Sequence, residues 1–184
     1  MKPNTTRRLQ RGFTLIEIML VVVIIGIMSS IAVPFYSRAS AKAYRSEALV
    51  TISKLELYFK NLYESQGNYN GPSVVASSDV MPDPTNTIPV GQGADWKPAT
   101  GGGWEDVPFP PQGNIRMRYQ YTVTGAVAPA QPFVTMQACG NFPGFGTPTL
   151  TFGSKGVKCN YIYTEILVGA NSGAVSENPV NSIE

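Results

Sequence analysis

Ile18 to Ser37 is an unbroken run of 20 uncharged residues, mostly Ile, Val, Met and Ala. As a helix rising about 1.5 Å per residue it measures roughly 30 Å, the hydrocarbon thickness of a bilayer. The run carries no polar face at a 3.6-residue period, so lipid or other protein must cover it on every side. Past Ser37 the pattern changes. Ala41, Tyr44, Ala48, Ile52, Leu55, Phe59 and Leu62 recur three or four residues apart, which is one apolar stripe of an amphipathic helix. Glu56 and Lys60 make an i,i+4 pair of favourable order, and Gly67 offers a stop after Gln66. The pattern predicts one helix over residues 13–66, apolar all round through 37 and amphipathic over 38–66, where its stripe packs on a head. Gly26 and Pro34 fall inside it; glycine lowers local helicity and proline kinks or breaks a helix.

Residues 67–113 contain 8 Gly and 8 Pro, which excludes regular helix. Asp79, Asp83, Asp95, Glu105 and Asp106 are scattered there without calcium-loop spacing. Trp96 and Trp104 read as loop anchors more simply than as a ligand platform. Sheet signals follow. Ile115, Met117, Tyr119, Tyr121 and Val123 alternate with Arg116, Arg118, Gln120 and Thr122 at a period of two, which places the arginines on an exposed strand face. Phe133–Cys139 predicts a second strand. Residues 149–152 and 157–166 flank Gly153-Ser154-Lys155-Gly156, a hairpin turn. From Gly169 the chain is a polar tail. The fold class is α+β: a long N-terminal helix laid on an antiparallel sheet of about four strands, with residues 67–184 forming the head.

Composition narrows the chemistry. The 184 residues include no histidine, which removes His-based triads, His metal sites and His general bases. Two cysteines cannot build a four-thiolate zinc site. No phosphate loop or paired-carboxylate pattern stands out, so the expectation is a protein that is not an enzyme, without cofactor or metal. The net charge of +2 is unevenly placed. Lys2, Arg7, Arg8 and Arg11 precede the apolar run, and the remainder is slightly acidic. The basic cluster keeps its end cytoplasmic, so the C-terminal bulk faces outward.

Three readings of the N-terminal segment compete: a secretory signal cleaved after Ala32, a plain membrane anchor, and a third that turns on Glu17. A carboxylate at the head of an apolar run is costly, and a secretion signal gains nothing from it. It serves the helix dipole if it lies near the membrane surface. Otherwise it needs a partner. If the chain is cut after Gly12, Phe13 gains an ammonium group, and pairing the two between neighbouring chains relieves both and fixes their register.

Residues 7–36, with Gly12, Phe13, Glu17 and Pro34 in place, closely resemble the class III signal of type IV pilins. The resemblance implies that residues 1–12 are a leader removed by a prepilin peptidase between Gly12 and Phe13, and that Phe13 is N-methylated. It implies insertion in the inner membrane, then assembly into a helical homopolymer on the bacterial surface. An assembly platform and motor ATPases drive the polymer, which serves adhesion, motility or DNA uptake. The phenylalanine resembles the type IVa branch, and the segment between Gly26 and Pro34 is expected to melt on assembly. Cys139 and Cys159 resemble the C-terminal disulfide loop of pilins, and an even pair in an oxidising compartment favours a bridge. Arg38, Lys42 and Arg45 are a solvated patch or meet acids on a neighbouring subunit. Arg116 and Arg118 admit contact with nucleic acid, as in some competence pilins, though an exposed strand face explains them more simply. The alternatives are a pseudopilin of a type II secretion system, a minor pilin, or a secreted soluble enzyme.

Overall fold

A computed structural model describes residues 12–82, 93–98, 100–107, 114–125, 131–153 and 156–178. The basic residues of the leader, Asp83, the Ser154-Lys155 centre of the expected hairpin and residues 179–184 lie outside that set. The chain divides into two compact units, Met1–Tyr36 and Ser37–Glu184.

Helix α1 runs over Leu15–Gln66. Its last turn closes on Gly67, whose φ of 70° places it in the left-handed region. There the Gly67 N–H donates to the Tyr63 carbonyl at 2.7 Å, a C-cap that glycine adopts without strain. The helix continues through both Gly26 and Pro34.

In the head, the strands in chain order are β1 (Met117–Thr124), β2 (Phe133–Gly140), β3 (Leu150–Phe152), β4 (Val157–Cys159), β5 (Tyr161–Val168) and β6 (Asn171–Asn178). Four of them form an antiparallel sheet in the order β1-β2-β5-β6, and β3-β4 make a second, two-stranded sheet. The stripe read from the sequence is the buried face of α1: Ala41, Ala48, Ile52, Leu55 and Phe59 are in the core, with Tyr44 and Leu62 half-buried beside them. They meet Met117, Tyr119, Tyr121, Val134, Met136, Ala138, Tyr161 and Leu167 from the sheet. The register puts Tyr119 opposite Ala138 and Tyr121 opposite Met136.

Polar ties also join the sheet to the helix. Glu47 Oε1 accepts the Arg116 and Met117 N–H groups at 2.9 and 3.1 Å, where the chain enters β1. The Arg45 guanidinium donates to Glu177 Oε1 at 2.9 and 2.7 Å, reaching from α1 to β6.

Three features differ from the sequence reading. The expected strand 157–166 is split at Asn160, whose side chain accepts the Phe142 N–H and donates to the Phe142 and Gly146 carbonyls. Its first half joins β3 and its second half joins the main sheet. The polar tail after Gly169 forms a full strand, β6. And Arg118 and Gln120 are buried rather than exposed. The reason is a second layer: Val80, Cys139, Phe152 and Cys159 form a small core on that face, with Leu150, Val157 and Ile162 against it. Arg116 stays exposed, with its guanidinium carbon 5.4 Å from the Tyr44 ring centroid.

The Gly/Pro-rich stretch is pinned along the outer edge of β1. Ser78 and Met81 donate their N–H groups to the Tyr121 and Tyr119 carbonyls at 3.0 and 2.9 Å. Trp104 is buried, donates Nε1–H to the Asp79 carbonyl at 2.7 Å, and packs edge-on against Trp96 and Tyr121. Both tryptophans therefore act as anchors of the loop.

Candidate processing and assembly site

Every described residue from Gly12 to Tyr36 is exposed. The helix they begin is long and apolar enough to cross a membrane. Phe13, Leu15 and Ile16 are each more than 70% exposed, so the side chains with most to gain from burial have little cover among the described residues. Hydrophobic surface on this scale is a demand for an external partner.

Thr14 starts the helix. Its hydroxyl oxygen accepts the Glu17 N–H at 3.3 Å, and its carbonyl accepts the Glu17 and Ile18 N–H groups at 3.2 and 3.3 Å. Thr14-Leu15-Ile16-Glu17 has the Thr-x-x-Glu spacing of a capping box. The sequence reading gave Glu17 a helix-dipole role but did not identify Thr14 as the cap. The carboxylate stands in the first turn, where the helix dipole favours negative charge.

The two glycines are informative by what surrounds them. A Cβ built on Gly12 or on Gly26 meets nothing within 4 Å. Among the described residues neither position has a side-chain neighbour that would demand glycine. Pro34 lies within the continuous helix.

In the head, Cys139 on β2 and Cys159 on β4 are joined by a disulfide, with Cα atoms 6.0 Å apart. It ties the two-stranded sheet to the outer face of the main sheet. Of the basic trio past the apolar run, Arg45 is engaged by Glu177 within its own chain, while Arg38 and Lys42 are exposed. Its bond to Glu177 raises the Arg45 pKa despite partial burial.

Comparison with known proteins sharpens this geometry. Residues 7–33 match the family model described as the prokaryotic N-terminal methylation motif. The chain is 36% identical over 89 residues to a fimbrial protein of Neisseria meningitidis serogroup B, covering 46% of this chain and 52% of that one. It is 40% identical over 60 residues to the type IV major pilin protein PilA of Myxococcus xanthus, covering 33% of this chain and 27% of that one. Over its N-terminal part the chain is similar to type IV pilins. A third pilin relative, the type IV major fimbrial protein FimA of Dichelobacter nodosus, is 37% identical over 76 residues, covering 41% of this chain and 46% of that protein. The chain spans about half the length of the curated relatives it matches. No solved structure matches it. The matched methylation motif contains Gly12, Phe13, Glu17 and Gly26 and ends one residue before Pro34.

Proposed function

We propose that this protein is a pilin, a structural subunit of a type IV pilus. It is made as a precursor held in the inner membrane by residues 13–37. A prepilin peptidase cuts between Gly12 and Phe13 and methylates the new amino group. The mature chain then leaves the bilayer for a homopolymer whose core is built from the same apolar segment, through an assembly platform and motor ATPases. The role is structural rather than catalytic, and the fibre serves adhesion, motility or DNA uptake.

The observation that carries this reading is the all-round exposure of the apolar segment directly after Gly12. Burial of one large aliphatic side chain contributes about 1.5–3 kcal/mol, and the segment holds many. Lipid supplies that cover before assembly and neighbouring copies supply it afterwards. Such burial is non-directional, so it holds subunits together without setting their register. Glu17 supplies the register. In a dry filament core its carboxylate needs a cation, and the Phe13 ammonium of a neighbouring copy is the charge that cleavage creates. Gly26 and Pro34 weaken the helix between them, and this stretch melts as subunits pack.

The test is fibre yield from Glu17→Ala expressed as the sole copy of the gene. The variant should be cleaved and inserted in the membrane, yet give few or no surface fibres. Normal yield would overturn the pairing between Glu17 and Phe13.

A further inference from the structure

The exposed charges of the head are sorted along α1. Ser37 ends the apolar run, and from there the helix advances about 1.5 Å per residue. Arg38 and Lys42, spaced i,i+4 on one face, are both exposed and lie about 2 and 8 Å past Ser37. Among the described residues neither takes part in an ion pair. Arg116 joins them at this end of the head, with its guanidinium carbon 5.4 Å from the ring centroid of Tyr44. The loop at Gly144 reaches the same level, since a Cβ built there would lie 3.6 Å from the Ser37 side chain.

The acids near this end are already engaged. Glu47 accepts the Arg116 and Met117 N–H groups, Glu177 pairs with Arg45, and Asp95 pairs with Lys97. Glu64, Glu105 and Asp106 are exposed, and they belong to the other end. There Gly71 packs on Tyr58 and Leu62, and Ser73 donates to Asp106 Oδ2. The end next to the apolar run is cationic, and the end about 30 Å farther along the helix is anionic.

We propose that Arg38, Lys42 and Arg116 form a contact surface for anionic phospholipid headgroups, which holds the near end of the head on the membrane until the subunit leaves the bilayer. The inference rests on the reading of residues 13–37 as the membrane-held segment. Tyr36 closes that segment with the amphipathic ring favoured at headgroup level. The headgroup layer is roughly 5–8 Å deep on each side. Chain length alone therefore brings Arg38 and Lys42 into it, and long basic side chains extend that reach. Attraction to anionic lipid falls off within a Debye length, about 8 Å at physiological ionic strength. Lys54, also exposed, lies about 25 Å past Ser37 and is too distant to contribute. A lipid surface suits these cations better than a second copy does, because headgroups meet them whenever the segment is in the bilayer, whereas a neighbour's acids come within reach only on assembly.

The test uses the full chain in phosphatidylcholine vesicles carrying a minority of phosphatidylglycerol. Spin-labelled forms of the two lipids are compared for the fraction immobilised by the protein. Lys2, Arg7, Arg8 and Arg11 also draw anionic lipid, so the reading is the change that a variant makes. At about 0.15 M salt, Arg38→Gln combined with Lys42→Gln should lower the preference for phosphatidylglycerol several-fold, with a limit of about fivefold per cation removed. Arg116→Gln should lower it further, and Lys54→Gln should leave it unchanged. At about 1 M salt, where the Debye length is about 3 Å, wild type and variants should converge. A double variant that keeps the wild-type preference would overturn the proposal, and so would an equal loss from Lys54→Gln. If the double variant keeps the preference but loses surface fibres, Arg38 and Lys42 meet acids on a second copy instead. A chain that alkaline washing strips from the vesicles would contradict the membrane-held segment itself, whereas insertion without a change in lipid preference would contradict this inference alone.

Discussion

Glu47 offers a direct measure of what ties the sheet to the long helix. Its carboxylate accepts two backbone N–H groups, that of Arg116 just before β1 and that of Met117, the first residue of β1. Replacing Glu47 by alanine orphans both donors. Arg116 is exposed, so water replaces its bond at little cost. Met117 is buried, and its N–H has no such substitute. A hydrogen bond to a charged group contributes about 1.5–3 kcal/mol, so the Met117 bond sets the scale and the total loss should be about 2–3 kcal/mol. Burial works the other way. It raises the Glu47 pKa by desolvation, against the pull of the Arg116 and Met117 bonds, so the folded head holds this carboxyl's proton more tightly than the unfolded chain does. Glu47→Gln keeps a carbonyl acceptor and removes that desolvation cost, and should therefore lose less than about 1 kcal/mol at neutral pH. The sign also fixes a pH dependence. Wild-type stability contributed by this group is greater below its unfolded pKa and declines as pH rises through its folded value, a trend absent in Glu47→Gln. Urea unfolding of a soluble chain beginning at Arg38, followed by tyrosine and tryptophan signals, reads all three. If Glu47→Ala unfolds within about 0.5 kcal/mol of wild type, the tie is not energetically significant and the reasoning fails.

That shortened chain carries a prediction of its own: it should be folded and monomeric by circular dichroism and sedimentation, because residues 37–184 contain a complete core, and long fibres from it would contradict assembly through the apolar segment. Replacing Cys139 and Cys159 by serine should destabilise the head by about 3 kcal/mol, the chain-entropy value for a 20-residue separation, measured by the same unfolding curve. Trp104→Ala should cost about 3–5 kcal/mol, since the indole is buried and its N–H holds the loop, and a loss below about 1 kcal/mol would show that the loop is anchored elsewhere.

The sequence disclosed what depends on apolar periodicity. The stripe from Ala41 to Leu62 named the buried face of α1, and Gly67 marked its end, because burial and a left-handed cap leave a residue-level signature. The alternation from Ile115 to Val123 found β1 and its helix-facing side. The same alternation misplaced Arg118 and Gln120, because period two separates the faces of a strand without saying whether the second face is also covered. That cover comes from β3, β4 and the Val80 loop, all distant in sequence. β6 was invisible for the opposite reason: its side chains are exposed, and a backbone ladder with polar ties leaves no hydrophobic pattern. The split at Asn160 depends on one side chain satisfying a loop from Phe142 to Gly146, a contact that no local pattern encodes. At the N-terminus the motif around Gly12 and Glu17 was plain. The cap at Thr14 was not read from the sequence, because one hydroxyl at the head of a long apolar run adds no periodic signal of its own.

The central claim is that a leader is removed and the exposed apolar segment becomes the interior of a polymer. The most direct measurement is the intact mass of the subunit in fibres sheared from the cell surface, with its N-terminus read by sequencing. The account expects a mass equal to residues 13–184 plus one methyl group, with the chain beginning at N-methylated Phe13. Fibre subunits that retain Met1, or that begin at Val33, would contradict it.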